Sequence, residues 1–485
     1  MTTRSTGAPH TTTGPTDPEG VTGRLATWVA GLQHDHIPEG VRERARHLLL
    51  DGLVCALVGA RLPWSERAVG AVLALEGDGD VPVLGWGLTT SAPAACLLNG
   101  TFIQGFELDD YHVRAPLHSN SLVVPSAIST LTALDRTVTG RELLTALIAG
   151  YEVGPRVGLA LHGAEMLSRG WHSGAVFGTH ASAATSAWLR RLDAARVEDA
   201  LGLAATQSAG LMAAQYEAMS KRMHHGFSSR NGLYAAALAE AGYTGIKRVY
   251  EREYGGFLVT FGEGHAPRAD LIADRLGEEW VLMDTGVKAY AAMAATHAPI
   301  DCALRARSRG ISPEDIASLS IEVSHAAYHH GWWKPERPLE TIGAQMNIGY
   351  AVSVALLDGQ VLAEQFTRER VAADDVWSLL DRTDVRHCAD FDGPRDRFRT
   401  RMRLDLRSGD SVEIEVDGPL GGPTRPLPNP DVVTKARRLA ASIDISERWE
   451  RIEEMVLGLD SLPDTSVLVD DLAASVPALP VTLRS

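Results

Sequence analysis

From residue 21 to about residue 277, apolar residues recur at helical spacing, and Ala and Gly sit on several faces of the same stretches. Small residues all round a helix mark helices that pack closely on more than one side, and this texture constrains the fold more than any other feature. EGVRERARHLLLDGLVCALVGA (39–60) sets the pattern. GRELLTALIAGYEVGPRVGLAL, THASAATSAWLRRL, ARVEDALGLAATQSAGL and GLYAAALAEAGYTG continue it. Short turns such as 77–80 separate them. The texture changes near Glu278. ASLSIEVS (317–324) alternates like a strand, and FRTRMRLDLRSGDSVEIEVDG (398–418) is two alternating runs about a Ser-Gly-Asp turn, a hairpin signal. The expected fold is mainly α with α+β. A large all-helical domain takes 21–277 plus the helical text of 419–485, a smaller α+β lid takes 278–418, and 1–20 form a disordered tail. No internal repeat is visible.

At 485 residues the chain has room for two or three domains, and 45% apolar with 22% charged residues is ordinary globular composition. The formal charge of −15 argues against a general nucleic-acid binder and more weakly against anionic membrane surfaces. A local basic pocket can still hold a small anion. No apolar run reaches about 18 residues, so no membrane span is expected. Cys55, Cys96, Cys302 and Cys388 are far apart with no CxxC pair, which fits isolated thiols in a reducing cytoplasm. The Thr/Pro/Gly-rich N-terminus lacks the apolar core of a secretory signal.

Against that acidic background, SKRMHHGFSSRNG (220–232) gathers Lys221, Arg222, His224, His225 and Arg230 with no acid among them. One helical turn can present Lys221, His224 and His225 together, with Gly226 ending or kinking it. A solvated basic face is one reading. The buried texture on both sides favours another, because cations between buried helices need an anion to offset their desolvation. Glu107, Asp109 and Asp110 precede His118 in GFELDDYHVRAPLHSNS, and acids three apart share a helical face. The stretch after Tyr111 reads as a loop. His172 lies in the Gly-bracketed turn RGWHSG before a small-residue helix that carries His180. Lys288 and His297 stand in VKAYAAMAATHAPID, and Tyr350 in NIGYAVSVALLDG. On the residues alone each of these reads equally as structural. GxxxxGK[ST], GxSxG and HExxH are absent. His325 and His329 have ligand spacing but no acid to complete a set, so no metal is assigned.

Seven stretches in order resemble the 2-methylcitrate dehydratase (MmgE/PrpD) family, which includes cis-aconitate decarboxylase. They are LLLDGLVCALVGA, AACLLNGTFIQGFELDD with His118 and PSA after it, GYEVGPRVG, GWHSGAVFGTHASAA, KRMHHGFSSRNGLYAAALAEAGYTG, VKAYAAMAATHAPIDCAL and NIGYAVSVALLDG, spanning about 21 to 474. The resemblance implies a helical domain with an α+β lid, a homodimer, no metal or organic cofactor, and small di- or tricarboxylate substrates. By matched position it implies that Asp110, His118, His172, Lys221, His224 and His297 lie in the active-site cleft, with Tyr350 a weaker match. Asp110, His118, His172, Lys221 and His297 are the expected catalytic residues, and Asp109, Arg222, His224, His225, Arg230, Lys288 and Tyr350 the expected substrate contacts. Glu107 stands where the family often has Asp, and HHGWWKPERP adds bulk to the lid.

The expected function is a cofactor-independent lyase, dehydrating or decarboxylating a polycarboxylate. A histidine is suited to move a carbon-bound proton near neutral pH, and preorganised cations stabilise the enolate that develops. His118 and His172 are the expected acid/base pair, with Asp110 orienting one of them. The same constellation serves an isomerase or epimerase of a dicarboxylate or amino-dicarboxylate. A non-catalytic helical binding protein is the third reading. Deuterium uptake without loss of water or CO₂ separates the isomerase from the lyase.

Overall fold

The computed structural model describes residues 14–393, 396–422 and 424–478. Most of the expected tail, 1–13, lies outside the described residues. Its last part is tied down, because Thr16 donates from its N–H (2.8 Å) and hydroxyl (2.9 Å) to the Glu198 carboxylate.

The Ala- and Gly-rich stretches form the expected helices, and their small residues let them approach closely. Helices Ala92–Ile103, Asn120–Ala133, Gly140–Ala160, Ser173–Leu189 and Ser220–Glu240 pack against one another, and Glu39–Gly59 packs on the first three. Buried hydroxyls tie neighbouring helices: Ser126 donates to the Ser182 carbonyl (2.9 Å), Ser182 to that of Ser229 (2.6 Å), and Ser229 to that of Leu122 (2.8 Å). These bonds satisfy hydroxyls that would otherwise be costly to bury. Thr139 and Glu142 form a capping box that starts Gly140–Ala160. Contrary to one sequence expectation, Gly226 does not end its helix. Ser220–Glu240 continues through it, and a Cβ there would stand 2.3 Å from the Leu97 carbonyl oxygen. The glycine serves close helix packing rather than a turn.

After the Pro/Gly-rich linker, helices Asn429–Ser442 and Ser446–Leu457 pack on Glu39–Gly59. Lys435 pairs there with the buried Asp51 carboxylate at 2.6 Å. The strands between form a four-stranded sheet in the order Thr383–His387, Ile316–Val323, Thr400–Leu406, Ser411–Val416. The first pair is parallel and the other two antiparallel, with Ile321 opposite Met402 and Met402 opposite Ile414. The predicted hairpin is the last pair. Alternate residues Ile316, Leu319, Ile321, Met402, Leu404, Ile414 and Val416 are buried, and helix His297–Ser308 packs on this sheet.

A second small sheet corrects the reading of the acidic segment. Glu107, Asp109 and Asp110 do not share a helical face: helix Ala92–Ile103 has already ended, Glu107 has a left-handed backbone (φ +57°), and Asp110–His112 is a strand. That strand pairs antiparallel with Thr285–Val287, Tyr111 opposite Gly286. Among the described residues no single helix is long and apolar enough to cross a membrane. The pair nearest in composition, Glu39–Gly59 with Pro63–Leu73, is bent by 82°.

Candidate active site

The strand pairing fixes the charge arrangement. Lys288 immediately follows Thr285–Val287, and its ammonium donates to Glu107 Oε2 at 2.7 Å. Lys221, in the first turn of Ser220–Glu240, donates to Glu107 Oε1, and Arg222 Nη1 lies 3.5 Å from the same oxygen. One buried carboxylate is thus shared by three buried cations. Burial opposes its ionisation, yet Lys221, Lys288, His118 and Arg222 together hold Glu107 well below the usual carboxylate range. In return, burial lowers the Lys221 ammonium while Glu107 supports it.

Beside this cluster lies a cavity. Glu107, His118, His172, Lys221 and Lys288 line it together with Tyr111, His112, His330 and Arg397. Apart from Ser173 the rest of its wall is apolar, with Leu167, Met212, Met293, Ala294 and Met346 among the lining residues. Asp109 Oδ2 lies 3.2 Å from His118 Nδ1, within ion-pair distance of that ring. His172 precedes helix Ser173–Leu189, and its ring centroid is 4.5 Å from that of His224. Burial, then His224 and Lys221, push His172 well below the ordinary histidine value, so it is neutral at pH 7. His225 sits 5.1 Å from both the His118 and His172 rings, with Ser121 at its Nδ1 (2.9 Å). A Cβ on Gly174 would collide with His225 Nε2 at 1.8 Å, so that glycine makes room for the imidazole cluster.

Residues 23–269 match the MmgE/PrpD N-terminal domain and residues 290–461 the MmgE/PrpD C-terminal domain. The chain belongs to the MmgE/PrpD family. It is 42% identical to the cis-aconitate decarboxylase-like protein oryM of Aspergillus oryzae, over 93% of this chain and 97% of that protein. It is 39% identical to a cis-aconitate decarboxylase of Aspergillus terreus, over 94% and 96%. The human cis-aconitate decarboxylase is 25% identical over 94% and 95%.

Of the expected site residues, His118, His172, Lys221 and Lys288 line the cavity, and the others stand behind it or away from it. Asp110 is turned away: its carboxylate accepts from Ser119 N–H (2.9 Å) and Asn120 N–H (3.0 Å) and ties the His118 loop to helix Asn120–Ala133. Burial and Asp109 push its carboxyl up, against two bonds that favour the charged form. The carboxylate next to the His118 ring is therefore that of Asp109, not Asp110. Arg222 bonds Gln345 and lies over the Trp64 ring (4.9 Å), buttressing Glu107 from outside the cavity. His224 and His225 stand behind His172 and His118. His297 bonds the Ala292 carbonyl (3.1 Å) and packs 5.1 Å from the Tyr290 ring, outside the lining. Arg230, nine residues beyond Lys221, bonds Asn231 (3.2 Å) and does not reach the site. The Tyr350 hydroxyl donates to the Gln365 carbonyl (2.5 Å) in the core. Residues not assigned from sequence are Tyr111, His112, His330 and Arg397. Arg397 immediately precedes the predicted hairpin, and only the fold brings it to the cavity. Among the described residues no group of three or more His, Cys, Asp or Glu is placed to hold a metal ion.

Proposed function

We propose that this chain is a carboxy-lyase that decarboxylates cis-aconitate or a near relative of it. The relatives bear out the sequence expectation of a lyase of this family acting on a tricarboxylate. The observation that carries the choice of chemistry is the Lys221–Glu107–Lys288 cluster opening onto a cavity that also holds two imidazoles.

In cis-aconitate the CH₂ carboxylate is β,γ to the double bond. Breaking its C–CO₂ bond forms a new double bond to the central carbon. The original π pair moves to the far alkene carbon, where the adjoining carboxylate stabilises it as an enolate. One proton delivered to that carbon gives methylenesuccinate, so the balance is trianion plus proton to dianion plus CO₂. Lys221 and Lys288 are read as holding the enolate-bearing carboxylate, where charge grows in the transition state. His118, steered by Asp109, is read as the proton donor. Neutral His172 hydrogen-bonds the substrate without adding a charge. The leaving carboxylate is read as lying against the Met293–Ala295 and Met346 wall, because a dry apolar surface favours loss of charge as neutral CO₂.

The finer expectations join this reading. Phe227, Tyr234 and Leu238 recur at helical spacing on Ser220–Glu240 and are exposed, beside exposed Leu211 and Tyr243. This apolar face supports a homodimer across that helix, and a single protomer mass in sedimentation would dismiss it. The four unbridged cysteines support a cytoplasmic setting, and localisation of a tagged chain outside it would dismiss that.

The deciding experiment is incubation of the chain with cis-aconitate in D₂O, followed by proton NMR and CO₂ trapping. One CO₂ per methylenesuccinate, with one deuterium at the former alkene carbon, is expected. Hydration, or deuterium exchange without CO₂, would refute the assignment.

A further inference from the structure

Arg397 is the guanidinium among the cavity-lining groups, and it comes from the segment that leads into strand Thr400–Leu406. Its Nη2 donates to the Val113 carbonyl at 2.8 Å, and its guanidinium lies 4.8 Å from the Phe398 ring. Among the described residues no carboxylate lies within ion-pair distance of it. Lys221, Lys288 and Arg222 by contrast already share Glu107. Burial pushes the Arg397 guanidinium down to about 10, which still leaves it charged at pH 7. A half-buried cation without a counter-ion, facing a cavity, is a site prepared for an anion.

We propose that Arg397 binds the central carboxylate of the substrate and sets the preference for a tricarboxylate over a dicarboxylate. This rests on the decarboxylase reading, which leaves only one carboxylate for it. A fixed cation on the leaving carboxylate would stabilise the ground state and oppose departure as CO₂. The enolate-bearing carboxylate is taken by Lys221 and Lys288. The central carboxylate keeps its charge from substrate to product. Arg397 therefore contributes uniform binding: its loss raises KM and weakens product inhibition together, with kcat little changed.

The test compares two ligands that differ only in that group. cis-Aconitate carries the central carboxylate and cis-glutaconate lacks it. Binding of each is measured to wild type, Arg397→Met and Arg397→Lys by inhibition of turnover and by calorimetry, with thermal unfolding to confirm that each variant folds. Arg397→Met is expected to weaken cis-aconitate and methylenesuccinate on the order of ten- to a hundred-fold and to leave cis-glutaconate within about two-fold. Arg397→Lys keeps the charge without the planar fork and recovers part of the loss. Equal losses for both ligands, or none for either, would overturn the assignment. If wild type binds the ligands but releases no CO₂, the decarboxylase reading fails, while the two-ligand comparison still judges Arg397 on binding alone.

Discussion

Replacing Glu107 by Gln removes the one negative charge that Lys221, Lys288 and Arg222 share, while keeping the side chain's shape. Two unit charges about 4 Å apart at an effective dielectric of about 20 attract by ~4 kcal/mol. Breaking a buried pair from one side costs about 3–5 kcal/mol, because the partner charge stays buried. The Gln amide retains one acceptor, so a loss of about 3 kcal/mol at pH 7 is expected from urea denaturation. The sign of its pH dependence follows from the lysines. Glu107 supports the Lys221 ammonium against burial, and without it that group's folded pKa falls further below its unfolded value of about 10.4. The unfolded state then binds more protons, so the variant's stability rises with pH toward about 10 more steeply than that of wild type. The deficit should shrink between pH 7 and 9. A saturating tricarboxylate should narrow it too, since a ligand carboxylate can replace the missing charge. A deficit under ~0.5 kcal/mol, or one that widens with pH, would refute the picture of a shared counter-ion.

Asp109→Asn should lower kcat roughly a hundred-fold with KM little changed, by releasing His118 from its orientation; unchanged turnover would leave His118 without need of Asp109. Tyr350→Phe should keep kcat within about two-fold while costing about 1–3 kcal/mol of stability, because the Gln365 carbonyl loses its donor. A loss of turnover at full stability would instead bring Tyr350 into the site. His180 is buried against Tyr250 and Phe257, and burial pushes it down to about 3. Its unfolded form takes up a proton below about pH 6.5 while the folded form does not, so stability is lost as pH falls from 6.5 toward 3. Relative to His180→Gln, wild type should lose about 1.4 kcal/mol per pH unit there, and parallel stability curves would show that His180 does not titrate on unfolding.

The sequence by itself determined the helical body, the hairpin and the gathering of cations in the first turns of Ser220–Glu240. These follow from local periodicity and from residues adjacent in the chain, and a change of period near residue 278 needs no tertiary information to be seen. It also offered the right pool of side chains at 107–118, but assigned them by spacing along a helix that is not there. Pairing of Asp110–His112 with Thr285–Val287 decided that Glu107 faces Lys221 and Lys288, that Asp109 rather than Asp110 meets His118, and that Asp110 serves a loop. The tertiary structure likewise kept Arg230, His297 and Tyr350 out of the cavity and brought Arg397 into it. Periodicity reports which face of an element is apolar. That Glu107 meets Lys221 and Lys288 depends on contacts between segments more than a hundred residues apart, and those contacts are fixed only when helices, strand pair and sheet close around a common cavity.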